Sequence, residues 1–575
     1  MGNSHSHSCI SAPGATKPRP FSRKRSAILT RIHLSCADSS DSLEPPQDTS
    51  KLVSDEKSVY VEHHRTTPPI TSVAYCPIAT DLESDGEAAF ECFLREYPEY
   101  RLTWILDTLR RTDFARLERA GETYVDYMGG SLYPESLIRV HTDFLNHSIL
   151  GNTHSVSNRA SSEYTVVFTA NASAALKLVA EAYPFTGGSS LVIGADSHNS
   201  VRNLTSFHVT QLIVSAGQVH GIREFATYRS ARTVYVPSTA HGGFDIPTAK
   251  DVLQRHRPRS RDLAPSLFVL TAQSNISNSK NPLSITHHAA SLGYHTVVDG
   301  AALAPTSVVS LADYPIDAMA VSFYKMFGYP TGVGALIVKR AFLSQLKRPW
   351  FAGGTVDVVQ VPGNIVTRAR LPHEQFEDGT INYLQLPAIT DGLRFLSAYL
   401  PFLPLRLSSL LLYLTSALSK LRHDTTGRPV VQILSKVPTR RLRSVGEQAE
   451  TGSIVSLLFL SPTGEMIPNS FIEHAASSKN ISLRTGCMCN PGGAAAILGI
   501  EDEMGRLYPG VTLADFQDHM GRELGVVRIS LGLASNFQDV WRVVKFASSI
   551  GQEYSRQILW NQWMESQRST IGQAL

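Results

Sequence analysis

The sequence has no uninterrupted apolar run of about 18 residues, the length a membrane-spanning helix needs. The nearest stretch, Pro401 to Leu421, is interrupted by Arg406, Lys420 and several serines, and reads as a buried or half-buried helix. Charge of one sign is also missing. Lys and Arg number 53 against 50 Asp and Glu, a net +3, so bulk charge gives no reason to expect nucleic-acid binding. Cysteine is scarce: six in 575 residues make no disulfide framework and suit a reducing compartment, so the expected location is cytoplasmic. Two of the six form the pair Cys487 and Cys489, with no further His or Cys nearby at zinc-like spacing, so no metal site is expected. What is present is an ordinary globular balance, 42% hydrophobic, on a chain long enough for two or more domains.

Residues 1–85 are rich in Ser, Pro, Thr and His and read as a disordered or targeting segment. Two further fates fit it. Met1-Gly2-Asn3-Ser4-His5-Ser6 matches an N-myristoylation pattern at Gly2, and Lys17, Arg19, Arg23, Lys24, Arg25 and Arg31 with no acid before Asp38 resemble a mitochondrial transit peptide. From Glu87 the pattern turns globular, with a helix expected over Glu87 to Arg111. Short, apolar, β-branched strands are expected at Tyr164–Phe168, Ser190–Ile193, Arg232–Val236, Leu267–Leu270, His295–Val298, Ala318–Ser322 and Gly334–Val338. Their alternation with helices predicts an α/β domain with a largely parallel sheet over 86–370, its first part joining the smaller domain. A small α+β C-terminal domain over 371–575 would carry the cysteine loop and Arg528.

Three features bear on chemistry. At Phe168-Thr-Ala-Asn-Ala-Ser173 a strand meets small residues and the helix AALKLVAEAY. A helix N-terminus there can take an anion, with Ser173 capping the helix or donating to phosphate. Asp299 ends a buried strand and either caps the next helix or pairs with a cation such as a protonated pyridine nitrogen. Lys325 follows a strand end and precedes the glycine-rich turn GYPTGVG, in apolar surroundings that favour a neutral, imine-forming amine.

The string SFYKMFGYPTGVGALIV resembles the lysine segment of class V aminotransferase-fold enzymes. YTVVFTANASAALKLVAEAYP, DSHNSV, AQSN, FEDGTINYL, LRTGCMCNPG and VRISLG narrow the likeness to the N-terminal domain of eukaryotic molybdenum cofactor sulfurases, without that family's C-terminal domain. The resemblance implies a fold-type I enzyme dependent on pyridoxal 5'-phosphate, with a mostly parallel seven-stranded sheet in its large domain. It implies that Lys325 holds the cofactor as a Schiff base, Asp299 faces the pyridine nitrogen, His198 stacks on the ring and moves protons, and Asn275 meets the ring hydroxyl. Ala172, Ser173 and Ser322 would bind the phosphate, and Thr380 would reach it from the second subunit of a homodimer.

A sulfur-accepting cysteine must be an accessible thiolate. Arg484 stands three residues before Cys487 and would lower a thiol pKa, while Pro491, Gly492 and Gly493 read as a mobile loop. The resemblance places the persulfide on Cys489, with Cys487 second, and assigns Arg528 to the substrate carboxylate; Arg484 is expected beside it as a second substrate-binding residue. The expected reaction converts L-cysteine to alanine and a Cys489 persulfide, whose sulfur passes to an unidentified acceptor. The chain departs from relatives at Ala302, where cysteine desulfurases often carry Gln, and at Gly151-Asn-Thr-His-Ser155, where Gly-Asn-Pro-His-Ser is common. Two other readings keep the fold: a different pyridoxal-phosphate reaction (lyase, aminotransferase or γ-substitution) in which Cys489 is dispensable, or a non-catalytic scaffold.

Overall fold

The short β-branched runs assemble into one seven-stranded sheet. Its strands are β1 (Tyr164–Thr169), β2 (Ser190–Gly194), β3 (Arg232–Val236), β4 (Leu267–Thr271), β5 (His295–Asp299), β6 (Ala318–Ser322) and β7 (Gly334–Lys339). Their order is β1-β7-β6-β5-β4-β2-β3. Only β7 runs against its neighbours; the other pairings are parallel. This is a computed structural model, and it describes residues 84–150, 163–198, 218–260 and 262–574. The readings made on residues 1–83 and on Gly151–Ser155 lie outside the described residues.

β4, β5 and β6 are buried along their whole length. Alternate side chains explain why they carry no polar period. Leu267 and Val269 face one apolar core with the helix Ala172–Ala182, and Phe268 and Leu270 face another with the helices Ile246–Arg255 and Ile285–Ser291. A second sheet of β8 (Val431–Ile433), β9 (Ile454–Phe459), β10 (Arg484–Gly486) and β11 (Val526–Ser530) is wholly antiparallel, in the order β8-β9-β11-β10. Arg484 lies directly opposite Arg528 in it.

One expected helix is broken. Glu87 to Arg111 forms a helix over Ser84–Glu96, a 3-10 turn over Pro98–Thr103 and a second helix over Trp104–Asp113. Pro98 supplies no N–H and disfavours helical geometry at Tyr97, so the first helix stops there. The Pro401–Leu421 reading corresponds to the helix Leu403–Lys420, which packs into the apolar core around the second sheet. No single described helix is long and apolar enough to cross a membrane.

Arg406 on that helix is fully buried. Its guanidinium lies over the Tyr100 ring (4.1 Å to the centroid) and holds the Asp107 carboxylate with both terminal nitrogens. Removing the carboxylate alone strands a buried charge. Asp107→Ala is expected to lower the unfolding free energy by about 3 kcal/mol or more, measured by urea denaturation. The double replacement Arg406→Met, Asp107→Leu should recover most of that loss.

Candidate active site

The sequence-predicted residues cluster where the parallel strands end. Asp299 is the last residue of β5, Ser322 the last of β6, Ala172 and Ser173 open the helix after β1, His198 follows β2, and Asn275 follows β4. The crevice beyond the carboxyl ends of parallel strands is where such sheets hold ligands.

Asp299 is buried, and among the described residues its carboxylate accepts one hydrogen bond, from the Ala301 N–H to Oδ1 (3.1 Å). Burial pushes its carboxyl above the usual range, while the nearby Lys325 pulls it back. Lys325 sits in the short helix Phe323–Phe327. Its amine is pushed down to about 8, first by burial and further by Arg528 and Arg484, against the pull of Asp299 and Asp126. A cleft lined by Tyr127, Ala302, Thr306, Ser453 and Leu533 reaches this lysine.

The helix start after β1 departs from expectation. Asn171, not Ser173, caps it: its side chain accepts from the Ala174 N–H (3.0 Å). Asn171 has the extended backbone that a cap needs, whereas Ser173 is already the second helical residue. Ser173 thus takes no part in the cap. The Ala172 N–H donates to Ser322 Oγ (2.9 Å), joining the ends of β1 and β6 and leaving the Ser322 hydroxyl proton to serve an anion. Gly334 is required beside them, since a Cβ there would lie 2.5 Å from Asn171 Cα.

The cysteine loop is fastened to the same edge. Asn275 Nδ2 donates to the Met488 carbonyl (2.6 Å) and Asn275 Oδ1 accepts from Asn490 Nδ2 (3.0 Å). Asn490 Nδ2 also donates to Asp196 Oδ1 (2.7 Å). Asp196 is a buried hub that further accepts from Ser274 Oγ (2.7 Å), Ser277 Oγ (2.6 Å) and the Gly243 N–H (2.8 Å). Two residues later comes His198, partly exposed, its carbonyl accepting from the Val219 N–H (3.4 Å).

The Pro-Gly-Gly segment is not a mobile loop. Pro491 opens the helix Pro491–Leu498, capped by the Asn490 side chain. The glycines are there for contact: a Cβ on Gly492 would stand 2.1 Å from the Ala195 carbonyl oxygen, and one on Gly493 2.3 Å from Asp196 Oδ1. Within the loop Cys489 is exposed and Cys487 partly buried. Burial, with Cys489 adding to it, pushes the Cys487 thiol up to about 11. Arg484 does not lower that thiol, contrary to expectation. Its half-exposed side chain turns to Asp126 (Nη1–Oδ2 3.7 Å).

Arg528 is buried on β11; its Nη1 donates to the Asn275 carbonyl (3.0 Å) and its Nη2 to Asp126 Oδ1 (2.5 Å). Thr380 stands apart. It is exposed, and among the described residues no hydrogen bond joins its side chain to the others. Sequence reasoning missed Asp126, Asp196 and Asn490. Gly129 was a usable signal for the first, because a Cβ there would lie 2.3 Å from Asp126 Oδ2.

The sequence profile of the Aminotransferase class-V family matches residues 154–543. The chain is similar to the molybdenum cofactor sulfurase of Solanum lycopersicum, 29% identical over 518 residues, covering 80% of this chain and 60% of that protein. It is also similar to that of Homo sapiens, 31% identical over 486 residues, covering 77% and 51%. The chain thus spans between half and two thirds of these relatives' length. Among solved structures it shares its fold with an apo cysteine desulfurase from Thermococcus onnurineus NA1 (TM-score 0.57, 19% identity, covering 77% of this chain and 97% of that one). A cysteine desulfurase from Escherichia coli is similar too (TM-score 0.54, 18% identity, covering 79% and 98%). With the family profile spanning well over half its length, the chain belongs to the class-V aminotransferase family.

Proposed function

We propose that the chain is a pyridoxal-phosphate-dependent cysteine desulfurase or sulfurtransferase that converts L-cysteine to alanine and a Cys489 persulfide. The observation that carries this reading is a single linkage. The loop that exposes Cys489 is bonded through Asn275 and Asn490 to the ends of β4 and β2, on the same carboxyl edge of the sheet where β5 and β6 carry Asp299 and Lys325. The residues fit the cofactor. Asp299 is a buried acid short of partners, which suits a cationic ring nitrogen, and Ser322 and Ser173 at the helix start suit its phosphate. Asn275 keeps one amide hydrogen for the ring hydroxyl, and His198 lies at the neighbouring strand end. When bound, pyridoxal phosphate supplies an electron sink for the substrate Cα.

The protein's own groups do the remaining work. Arg528 holds the α-carboxylate. The Lys325 amine, held near 8, has a neutral fraction that takes the α-proton. The Cys489 thiolate attacks the substrate sulfur, and a Cys489–sulfur bond forms as the substrate Cβ–sulfur bond breaks. That electron pair goes to Cβ, which takes up one proton, and the Lys325 ammonium returns the α-proton to Cα, completing alanine. The persulfide sulfur then passes to a nucleophilic acceptor. The exposure of Thr380 supports a homodimer in which it serves the second copy, and exposed Trp350, Phe351, Val361 and Ile365 give such a contact apolar surface.

The test is incubation of purified protein with L-cysteine, with alanine counted against persulfide, followed by mass spectrometry of the peptide holding both cysteines. Equal amounts of the two products, with the added sulfur on Cys489, support the reading. Alanine without persulfide, or another keto or amino product, overturns it. Cys487→Ser should keep wild-type rates within about threefold, because a thiol held near 11 contributes little nucleophile at neutral pH.

A further inference from the structure

The carboxylate-binding arginine is already occupied. Arg528 is fixed through Nη1 to the Asn275 carbonyl (3.0 Å), and Asp126 Oδ1 is bonded to Nη2 (2.5 Å). Asp126 is a one-handed partner: Arg528 Nε is buried and has no hydrogen-bond partner among the described residues. The Nε–Nη2 edge is therefore only half used, and a carboxylate that engages both nitrogens is the better match. Asp126 also has an alternative partner. Arg484 lies opposite Arg528 across the two strands, with Nη1 3.7 Å from Asp126 Oδ2. Gly129 leaves room for that carboxylate, since any Cβ there would collide with it. The groups facing Asp126 are these two arginines, the Tyr124 ring and, further off, Lys325. Two guanidiniums thus share one carboxylate beside the lysine, which leaves one positive charge for a ligand.

We propose that Asp126 is a displaceable counter-ion for Arg528, holding the guanidinium in place until a ligand carboxylate takes it and then passing to Arg484. Asp126 is a positioning residue in this scheme, and Arg484 sets how readily it lets go. The scheme rests on the reading of Arg528 as the carboxylate site. It makes the pocket selective for α-carboxylates over neutral analogues, because a neutral ligand cannot dislodge an anion from a buried arginine.

The test uses the enzyme with its cofactor bound and two ligands without an amine, 3-mercaptopropionate and its neutral amide, with dissociation constants from calorimetry. Asp126→Asn should bind the carboxylate about tenfold more tightly and leave the amide unchanged. Arg484→Met, a change at a half-exposed residue, should weaken carboxylate binding about threefold. That second effect should vanish in the Asp126→Asn background, where no counter-ion remains to be received. Equal changes for acid and amide overturn the proposal, as does an Arg484→Met effect that persists without Asp126, which would mean that Arg484 touches the ligand directly. Should Asp126→Asn fail to fold, the acid-versus-amide comparison in Arg484→Met decides alone: an unchanged affinity for the acid overturns it. A wild type that consumes no L-cysteine yet shows the full cycle removes the desulfurase reading and sustains this one.

Discussion

Lys325→Ala is expected to reduce alanine formation from L-cysteine by about four orders of magnitude, since it removes both a nucleophilic amine and the base for the α-proton. The measurement is alanine released per enzyme under saturating L-cysteine, and a loss of less than about tenfold would assign the proton transfer to another group. The same lysine has a readout that needs no turnover. Its amine ordinarily titrates at 10.5 and is pushed down to about 8 in the folded chain. Between those values the unfolded chain binds more protons than the folded one, so stability rises with pH across the window. The penalty of the buried ammonium is fully present below about 8. In protein stripped of cofactor, Lys325→Met should therefore be more stable than wild type at neutral pH. That advantage should shrink as the pH climbs from 8 to 10.5.

Cys489→Ala gives the second large effect: persulfide falls to the trace that Cys487 can form, while cofactor absorbance stays at the wild-type level. Cys487 is the only other thiol on the loop, and its pKa near 11 limits what it can replace. At pH 8 about one Cys487 in a thousand is a thiolate. Residual alanine formation through Cys487 should therefore stay small at that pH and rise about tenfold per pH unit until the thiol ionises near 11. A residual rate that is flat with pH excludes Cys487 as the substitute. Full activity in Cys489→Ala instead removes the sulfurtransfer reading and returns the site to some other reaction of this cofactor.

The sheet was legible because its strands announce themselves. Runs such as Leu267-Phe-Val-Leu270 and Ala318-Met-Ala-Val321 are apolar on both faces, and the structure extends the expected bounds by a residue at most. Asp299 stood out as a charge at the end of a buried strand, whereas Lys325, three residues past its strand, stood out only through its order among the other motifs and the family likeness. Other features depended on neighbours distant in sequence. Ser173 and Asn171 are equally good caps on paper, and backbone geometry decides for Asn171. Gly492 and Gly493 look like flexibility until Ala195 and Asp196 are placed against them. Arg484 lies near Cys487 along the chain, yet the strand pairing turns it toward Asp126. Pro98 was a local signal that the helix reading passed over.

Asp196 gathers donors from the Gly243 turn, from Ser274 and Ser277 after β4, and from Asn490 beside the cysteines. Seating any one of these segments depends on the others, because a carboxylate buried with only part of its donors is poorly satisfied. The loop that exposes Cys489 is thus not an independent arm, because it is tied into the same buried knot. Under the proposed desulfurase reading, an acceptor is expected to come to Cys489 rather than Cys489 to the acceptor.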